Sequence, residues 1–368
     1  MTGELILSNI RKRRTRTLVS ILAVCLGVGM VILFVGLSKG ILNDTAFRTR
    51  SIKADLLFQP TGSSLFMALN NATMPVRIGE KLRQVPGVKY VTPCLHQFSK
   101  ASFSLIYGIE PVSFNQVSDD GLRIVQGRIF SAPYECIVDD MWLLSHPEKR
   151  IGSTVEVLNH HFTISGVFKA GIAARILLPL QTLQELNDSV GKVSIFYVKC
   201  DGPAGLDRAH RFLTTDDLFK SYNITRAEDI EKVMASSLPG LREFTLVVVG
   251  VACLISFLVV LLTMYTTITE RTREIGILKA LGASRGYIIQ LIMKESILLT
   301  VIGIVCGIGF SIGATLLLWK IYPTLSIELN AQWIAIASFI AMASGAVGSL
   351  YPAYRAARLD PVEALMYE

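Results

Sequence analysis

Four long, predominantly apolar stretches of the chain carry no Asp, Glu, Lys or Arg: between Arg16 and Lys39, Glu243 and Glu270, Glu295 and Lys320, and Glu328 and Arg355. A helix rises about 1.5 Å per residue and a bilayer's hydrocarbon core is about 30 Å thick, so roughly 20 apolar residues span it. Each stretch is long enough, which predicts spanning helices at 18–37, 245–268, 296–319 and 333–351. The first exceeds the roughly 7 to 15 apolar residues of a cleaved signal peptide and is not followed by a clean small-x-small cleavage site. It reads as an uncleaved anchor.

The 207 residues from 38 to 244 alternate differently. Short β-rich runs bounded by turn residues recur at Asp55-Leu-Leu-Phe-Gln59, Val88-Lys-Tyr-Val-Thr92, Ser102-Phe-Ser-Leu-Ile-Tyr107, Glu135-Cys-Ile-Val138, Thr154-Val-Glu-Val-Leu158, Phe162-Thr-Ile-Ser-Gly-Val167 and Val193-Ser-Ile-Phe-Tyr-Val-Lys199. These read as strands. Helical stretches intervene at 76–84, stopped by Pro86-Gly87, and at 180–186. A subdomain change is expected near 119–127, where Ser118-Asp-Asp-Gly121 makes a turn, with the chain returning to the first subdomain after about residue 193. Residues 225–244 place Ile230, Val233, Met234, Leu238 and Leu241 at helical spacing. They predict a stalk helix running straight into the second span and bent at Pro239, since proline removes a helix hydrogen bond. The expected fold class is an α-helical membrane protein with four transmembrane helices and a large α+β extracytoplasmic domain inserted between the first two.

Composition agrees: 51% of the 368 residues are hydrophobic and 18% charged, against about a quarter charged in a soluble domain. Mean hydropathy is +0.48. This excludes a soluble globule, a disordered chain and a secreted disulfide scaffold. The N-terminal segment 1–17, the loop 269–295 and the tail 352–368 together hold 12 Lys and Arg in 61 residues, whereas 38–244 holds 23 in 207, against 21 acidic residues. Weighted to short loops, that bias places both termini and the 269–295 loop in the cytoplasm of a cell with an inner (cytoplasmic) membrane. Residues 38–244 and the short loop 320–332 then lie outside. The net charge of +7 thus sits beside the bilayer, where anionic lipid attracts it, and does not indicate a nucleic-acid partner.

No charge lies in the middle of any span, which argues against an ion or proton pathway. Glu295 and Lys294, at the entrance of the third span, read as interfacial. Gly303, Gly307, Gly309 and Gly313 form overlapping small-x-x-x-small patterns, which allow close helix approach in lipid, either within the chain or in a dimer. There is no Gly-x-x-x-x-Gly-Lys-Ser/Thr loop, no His-Glu-x-x-His, no Cys-x-x-Cys and no Gly-x-Ser-x-Gly, so neither a catalytic residue nor a cofactor is assigned to this chain. His160 and His161 point to opposite faces of a strand, and no metal is expected. Cys94, Cys136 and Cys200 lie outside the spans, where a disulfide is permitted but spacing does not pair them.

The 269–295 loop opens with Thr269-Glu-Arg-Thr-Arg-Glu274-Ile-Gly-Ile-Leu278-Lys-Ala-Leu281-Gly282-Ala283-Ser284. Ile275, Leu278 and Leu281 or Gly282 share a face at helical spacing, Gly282 can end the helix and Ser284 can cap the next. The tail reads Pro352-Ala-Tyr-Arg-Ala356-Ala357-Arg358-Leu-Asp360-Pro361-Val-Glu363-Ala-Leu365. Asp360 as N-cap, Pro361 at the first position and Glu363 at the third form an Asp version of a capping box. Two short helices, each joined to a span, suit a mechanical connection.

The loop motif resembles the coupling-helix signature of the MacB/LolC/FtsX permease superfamily of ABC transporters. Pro352-Ala-x-x-Ala-Ala-x-x-x-Pro361-x-x-Ala-Leu365 resembles its C-terminal signature. Pro86-Gly87-Val88, Gly127-Arg128, Phe162-Thr-Ile-Ser-Gly166-Val-Phe and Leu178-Pro179-Leu are similar to its outer domain. The resemblance implies a permease subunit without a fused ATPase, bound with a second permease subunit to two copies of a cytoplasmic ABC ATPase that holds ATP and magnesium. It further implies that motion driven by ATP hydrolysis crosses the bilayer to act on a substrate, exported or extracted, at the outer face, with an adaptor or substrate protein as a further candidate partner. The alternative is FtsX-like signalling to an extracytoplasmic partner. ATPase contact is assigned by resemblance to Glu270, Arg271, Arg273, Glu274, Ile275, Gly276, Leu278, Lys279, Ala280, Gly282, Ala283, Arg355, Arg358, Asp360 and Pro361.

Overall fold

The computed structural model describes residues 14–63, 72–99, 104–119, 121–236, 239–360 and 364. Expectations for residues 1–13, Pro361, Glu363 and Leu365 lie outside them. The chain divides into a helical unit (1–40, 240–321 and 327–368) and a globular unit (41–239 and 322–326). One helix, α1 (Arg14–Arg50), contributes to both.

The globular unit runs β1 (Leu56–Pro60), β2 (Met74–Pro75), α2 (Ile78–Arg83), β3 (Val88–Ser99), β4 (Ser104–Ile109), α3 (Pro111–Val117), β5 (Ile124–Gly127), β6 (Glu135–Asp139), α4 (Asp140–Ser145), β7 (Thr154–Val157), β8 (His160–Phe168), β9 (Ile176–Pro179), α5 (Leu180–Leu186), β10 (Lys192–Val193), β11 (Ile195–Cys200), α6 (Gly202–Thr215), β12 (Tyr222–Arg226) and α7 (Ile230–Ser236). The main sheet has ten strands in the order β12-β1-β11-β3-β4-β9-β6-β8-β5, with β7 paired to β8. Residues 124–179 supply one half of it, and the chain returns to the other half with β11. The parallel pairing of β4 with β9, Ile106 opposite Ile176, makes the halves one sheet. Helices cover its faces, so central strands such as β1 are buried along their whole length. Each large apolar side chain withdrawn from water there contributes about 1.5–3 kcal/mol.

Gly127, at φ +76°, turns the chain so tightly against β8 that a Cβ would strike the Ser165 carbonyl. Only glycine enters that conformation freely. Arg128, which follows, grips Glu135 with both terminal nitrogens (2.8 and 2.5 Å). That guanidinium, with the Ser131 N–H, lowers the Glu135 carboxyl from 4.5 to about 2. Cys94, Cys136 and Cys200 are buried in three different apolar clusters and none is bonded to another.

The stalk differs from the sequence expectation. Residues 222–226 pair as β12 with β1 and α7 starts at Ile230, so the helical stretch begins later than its spacing suggested. Residues 237–238, beside the bend expected at Pro239, lie outside the described residues.

The helical unit continues with α8 (Pro239–Glu270), α9 (Thr272–Ala280), α10 (Arg285–Ile321) and α11 (Ala331–Arg358). Four helices among the described residues are long and apolar enough to cross a membrane. Gly303 and Gly307 lie so close to α1 that a Cβ would come within 2.7 Å of Val24 and 2.8 Å of the Cys25 carbonyl, whereas Gly309 and Gly313 face open space. The small-residue pattern thus splits into an inward half and an outward half. α11 runs on through Pro352 to Arg358, and the Ala364 N–H returns to the Asp360 carbonyl at 2.9 Å.

Candidate functional site

The two motif segments meet in the helical unit. Arg271 stands at the joint between α8 and α9, its backbone N–H shared between the Thr267 and Ile268 carbonyls. Its side chain reaches Glu274 through Nε at 2.8 Å and Glu295 of α10 through Nη1 at 2.9 Å. Arg271 and Glu295 are 14% and 10% exposed. Burial opposes the charge on Arg271, but the two carboxylates outweigh it and hold its pKa above the ordinary value.

The other end of α9 is fixed by backbone geometry. Gly282, at φ +93°, takes the left-handed position, the Ala283 N–H returns to the Leu278 carbonyl and the Gly282 N–H to the Lys279 carbonyl. This double closure is the Schellman arrangement. Lys279 donates through Nζ to the Ala357 and Leu359 carbonyls, satisfying acceptors left over at the end of α11. One short helix is therefore pinned at its start to α10 and near its end to α11.

Between these pins α9 is two-faced. Ile275 and Gly276 are buried, and Ile275 packs in the cluster that holds Ile268, Ile288, Ile292, Ala353, Ala356 and Ala357, with Leu278 and Ala283 half-buried against it. Glu270, Arg273, Glu274, Ile277 and Ala280 are exposed. Leu281 is 81% exposed, off the face that its spacing suggested. Six residues past Ile275 a helix has turned about 240°, which carries Leu281 away from the core. Ser284 accepts from the Tyr287 N–H at 3.2 Å and so caps α10.

Of the tail residues, Arg355 donates to the Tyr265 hydroxyl at 2.8 Å and lies over its ring, and Arg358 lies over the ring of Tyr354. Both are exposed, as is Asp360. The fifteen residues assigned from the motifs thus separate. Arg271, Ile275, Gly276, Leu278, Lys279 and Ala283 face inward and hold the helix, whereas Glu270, Arg273, Glu274, Ala280, Gly282, Arg355, Arg358 and Asp360 are exposed, and Pro361 lies outside the described residues. Glu295 and the exposed apolar trio Ile277, Leu281 and Tyr287 belong to the same arrangement. Its place beside Lys294 at the head of an apolar run was the only sequence signal for Glu295.

Residues 17–214 match the family model described as MacB-like periplasmic core domain, and residues 246–361 the model described as FtsX-like permease C-terminal. An uncharacterized ABC transporter permease of Bacillus subtilis, YknZ, is 26% identical over 98% of both chains. The macrolide export ATP-binding/permease protein MacB of Bartonella henselae is 28% identical over 96% of this chain, which spans only 57% of that protein's length. Among solved structures, the extracellular domain of YknZ aligns with 47% of this chain and 99% of its own at 18% identity and a TM-score of 0.35. The periplasmic region of MacB from Actinobacillus actinomycetemcomitans aligns with 50% of this chain and 94% of its own, at 15% identity and a TM-score of 0.38.

Proposed function

From the premise that this chain belongs to the MacB/FtsX-type family of ABC transporter permeases, we propose that it converts the work of a separate ATPase into substrate handling at the outer membrane face. The observation that carries this reading is the two-faced helix α9. Its inner face is pinned to two long apolar helices through Arg271–Glu295 and Lys279, and its outer face offers Arg273, Ile277 and Leu281. A protein seated there and changing shape would move both helices together. An exposed apolar group ringed by charge is the composition of a protein contact. Magnesium and ATP would belong to the partner. Movement from one arrangement to another, not passage through a charged pore, would deliver the energy, in keeping with spans that carry no mid-span charge. A second permease subunit would complete the complex, and both termini would be cytoplasmic.

The test is co-purification. Tagged chain with the ATPase expressed alongside should retain it, Arg273→Glu and Leu281→Glu should lose it, and neither change should alter the thermal midpoint of the isolated chain. Retention of the ATPase by both variants would place the contact elsewhere.

A further inference from the structure

One end of the main sheet is irregular. There β5 and β7, two short strands, share the length of β8, and β5 slips register between Ile124 and Gln126. An interruption of that kind keeps an edge from pairing with another chain. The other end, β12, lacks it: Tyr222-Asn-Ile-Thr-Arg226 pairs with β1 without a register shift and contains no proline. The Tyr222 ring stacks on Phe58 of β1 at 4.7 Å, which holds the start of the strand in place.

The outward side of β12 follows from its ladder. The Ala227 N–H donates to the Asp55 carbonyl at 2.9 Å, and in an antiparallel pair the residues that bond across the ladder alternate. Thr225 and Asn223 therefore bond toward β1, whereas Ile224 turns its N–H and carbonyl away from it. The Tyr222 N–H, on that same outward side, goes to the Phe219 carbonyl instead. The outward groups of Ile224 have no such partner among the described residues. They leave one donor and one acceptor in the arrangement that a further strand would meet.

A groove of about 420 Å³ runs along this edge and is lined by Tyr222, Asn223, Ile224 and Thr225. Successive side chains of a strand point to opposite faces, so a space that touches four in a row lies beside the strand. From there it reaches Gln59 of β1 and Val233 of α7. Gln59 and Thr225 are only 4% and 8% exposed, and neither side chain has a hydrogen-bond partner among the described residues. A buried amide without a partner is unfavourable, so Gln59 points to a ligand that supplies one. Charges at the rim are already matched, Lys220 by Asp217 and Arg226 by Asp207 and Glu228. Nothing there selects a charged ligand.

The two faces of β12 set the pattern of the occupant. Gln59 stands opposite Asn223 in the register, which puts both on one face with Thr225. On the other face Ile224 packs in the cluster of Phe58 and Tyr222. We propose that β12 accepts an extended polypeptide segment as a further strand, its alternate residues apolar beside Ile224 and uncharged polar beside Gln59 and Thr225. Such pairing requires neither an ATPase nor transport, and so goes beyond the function proposed above.

The full chain in detergent is titrated into fluorescein-labelled, capped heptapeptides KTVXVTK, with fluorescence polarisation as the readout. With Asn at X, binding should be saturable and about tenfold tighter than with Leu, the scale of one buried hydrogen bond. Gln59→Leu should erase that difference. Methylating both valine nitrogens, which face β12 in the added strand, should abolish binding, whereas methylating the nitrogen of X, which faces away, should not. Ile224→Pro removes the outward N–H and spares the bonds between β12 and β1, since proline is tolerated on an edge strand. It should weaken the Asn peptide about tenfold with an unaltered circular dichroism spectrum. If that variant misfolds, the methylated peptides make the same test on the unaltered chain. Absence of saturable binding, equal affinity for the Asn and Leu peptides, or indifference to valine methylation would overturn the proposal. Binding of N,N′-diacetylchitobiose that Gln59→Leu abolishes, with no peptide bound, would also overturn it and give the same polar groups to a saccharide.

Discussion

Replacing Arg271 with Met strands the Glu295 carboxylate beside α10 without its cation. An exposed ion pair is worth about 0–1 kcal/mol, whereas breaking a buried one costs about 3–5 kcal/mol. With side chains 14% and 10% exposed, the pair lies near the buried limit, so Arg271→Met should cost about 2–4 kcal/mol. Glu295→Met should cost less, because Arg271 keeps Glu274 at 2.8 Å. The double variant leaves no stranded charge and should be more stable than Arg271→Met by about 1–3 kcal/mol. Reversible unfolding of the four proteins in mixed detergent gives the double-mutant cycle, with an expected coupling of about 2 kcal/mol. A second reading comes from ATP hydrolysis and substrate movement in the reconstituted complex: the single variants should hydrolyse ATP with little linked movement. If the two single effects add to within about 0.5 kcal/mol, the side chains are not coupled, and the idea that they lock α9 to α10 fails.

Four further outcomes follow from the geometry. Gly303→Leu should destabilise the chain by about 1–3 kcal/mol through overpacking against Val24, whereas Gly309→Ala and Gly313→Ala should leave monomer stability unchanged in the same unfolding assay. Glu135 has a folded pKa below its unfolded one, so its contribution is full above about 4.5 and lost as pH falls through about 2; Glu135→Gln should flatten that part of the acid limb in thermal melts. Burial pushes the Cys136 and Cys200 thiols up to about 12, so neither should react with maleimide at pH 7 until the chain is unfolded. Lys279→Met should free the end of α11, seen as faster amide exchange at Ala357 to Leu359 with little change elsewhere.

The spans were legible because two quantities coincide in them, the absence of charge and an apolar side chain at most positions over more than 20 residues; residues 56–76 are as free of charge but are broken by Gln, Pro, Gly, Ser, Asn and Thr. The β-rich runs of the globular unit were legible where turns bounded them, as at 154–158 and 162–167. Strand β9 was not, because Ile176-Leu-Leu-Pro179 is buried and pairs in parallel with β4, and a short apolar run of that kind has no period to read. β12 was hidden by the helical spacing that begins just beyond it at Ile230. At the candidate site the residue types were legible, but their directions were not. Arg271 and Arg273 stand two positions apart in one motif, yet Arg271 faces Glu295, 24 residues further on, and Arg273 faces outward. Local spacing does not encode that difference, since the partner is brought in by the return of α10.

Helix α1 is unbroken from Arg14 to Arg50, and its last turns fix a phase inside the globular unit, which holds Asp44, Arg48 and Arg50 together with the groups they bond. Each residue turns a helix by about 100°. Inserting or deleting one residue between 44 and 48 would swing Arg48 and Arg50 through that angle relative to Asp44. Arg48 could then no longer reach Asp44 and Asp139 together, and Arg50 would part from the Ala227 and Glu228 carbonyls. Inserting a whole turn would restore the angle yet still displace these contacts by about 5 Å along the axis.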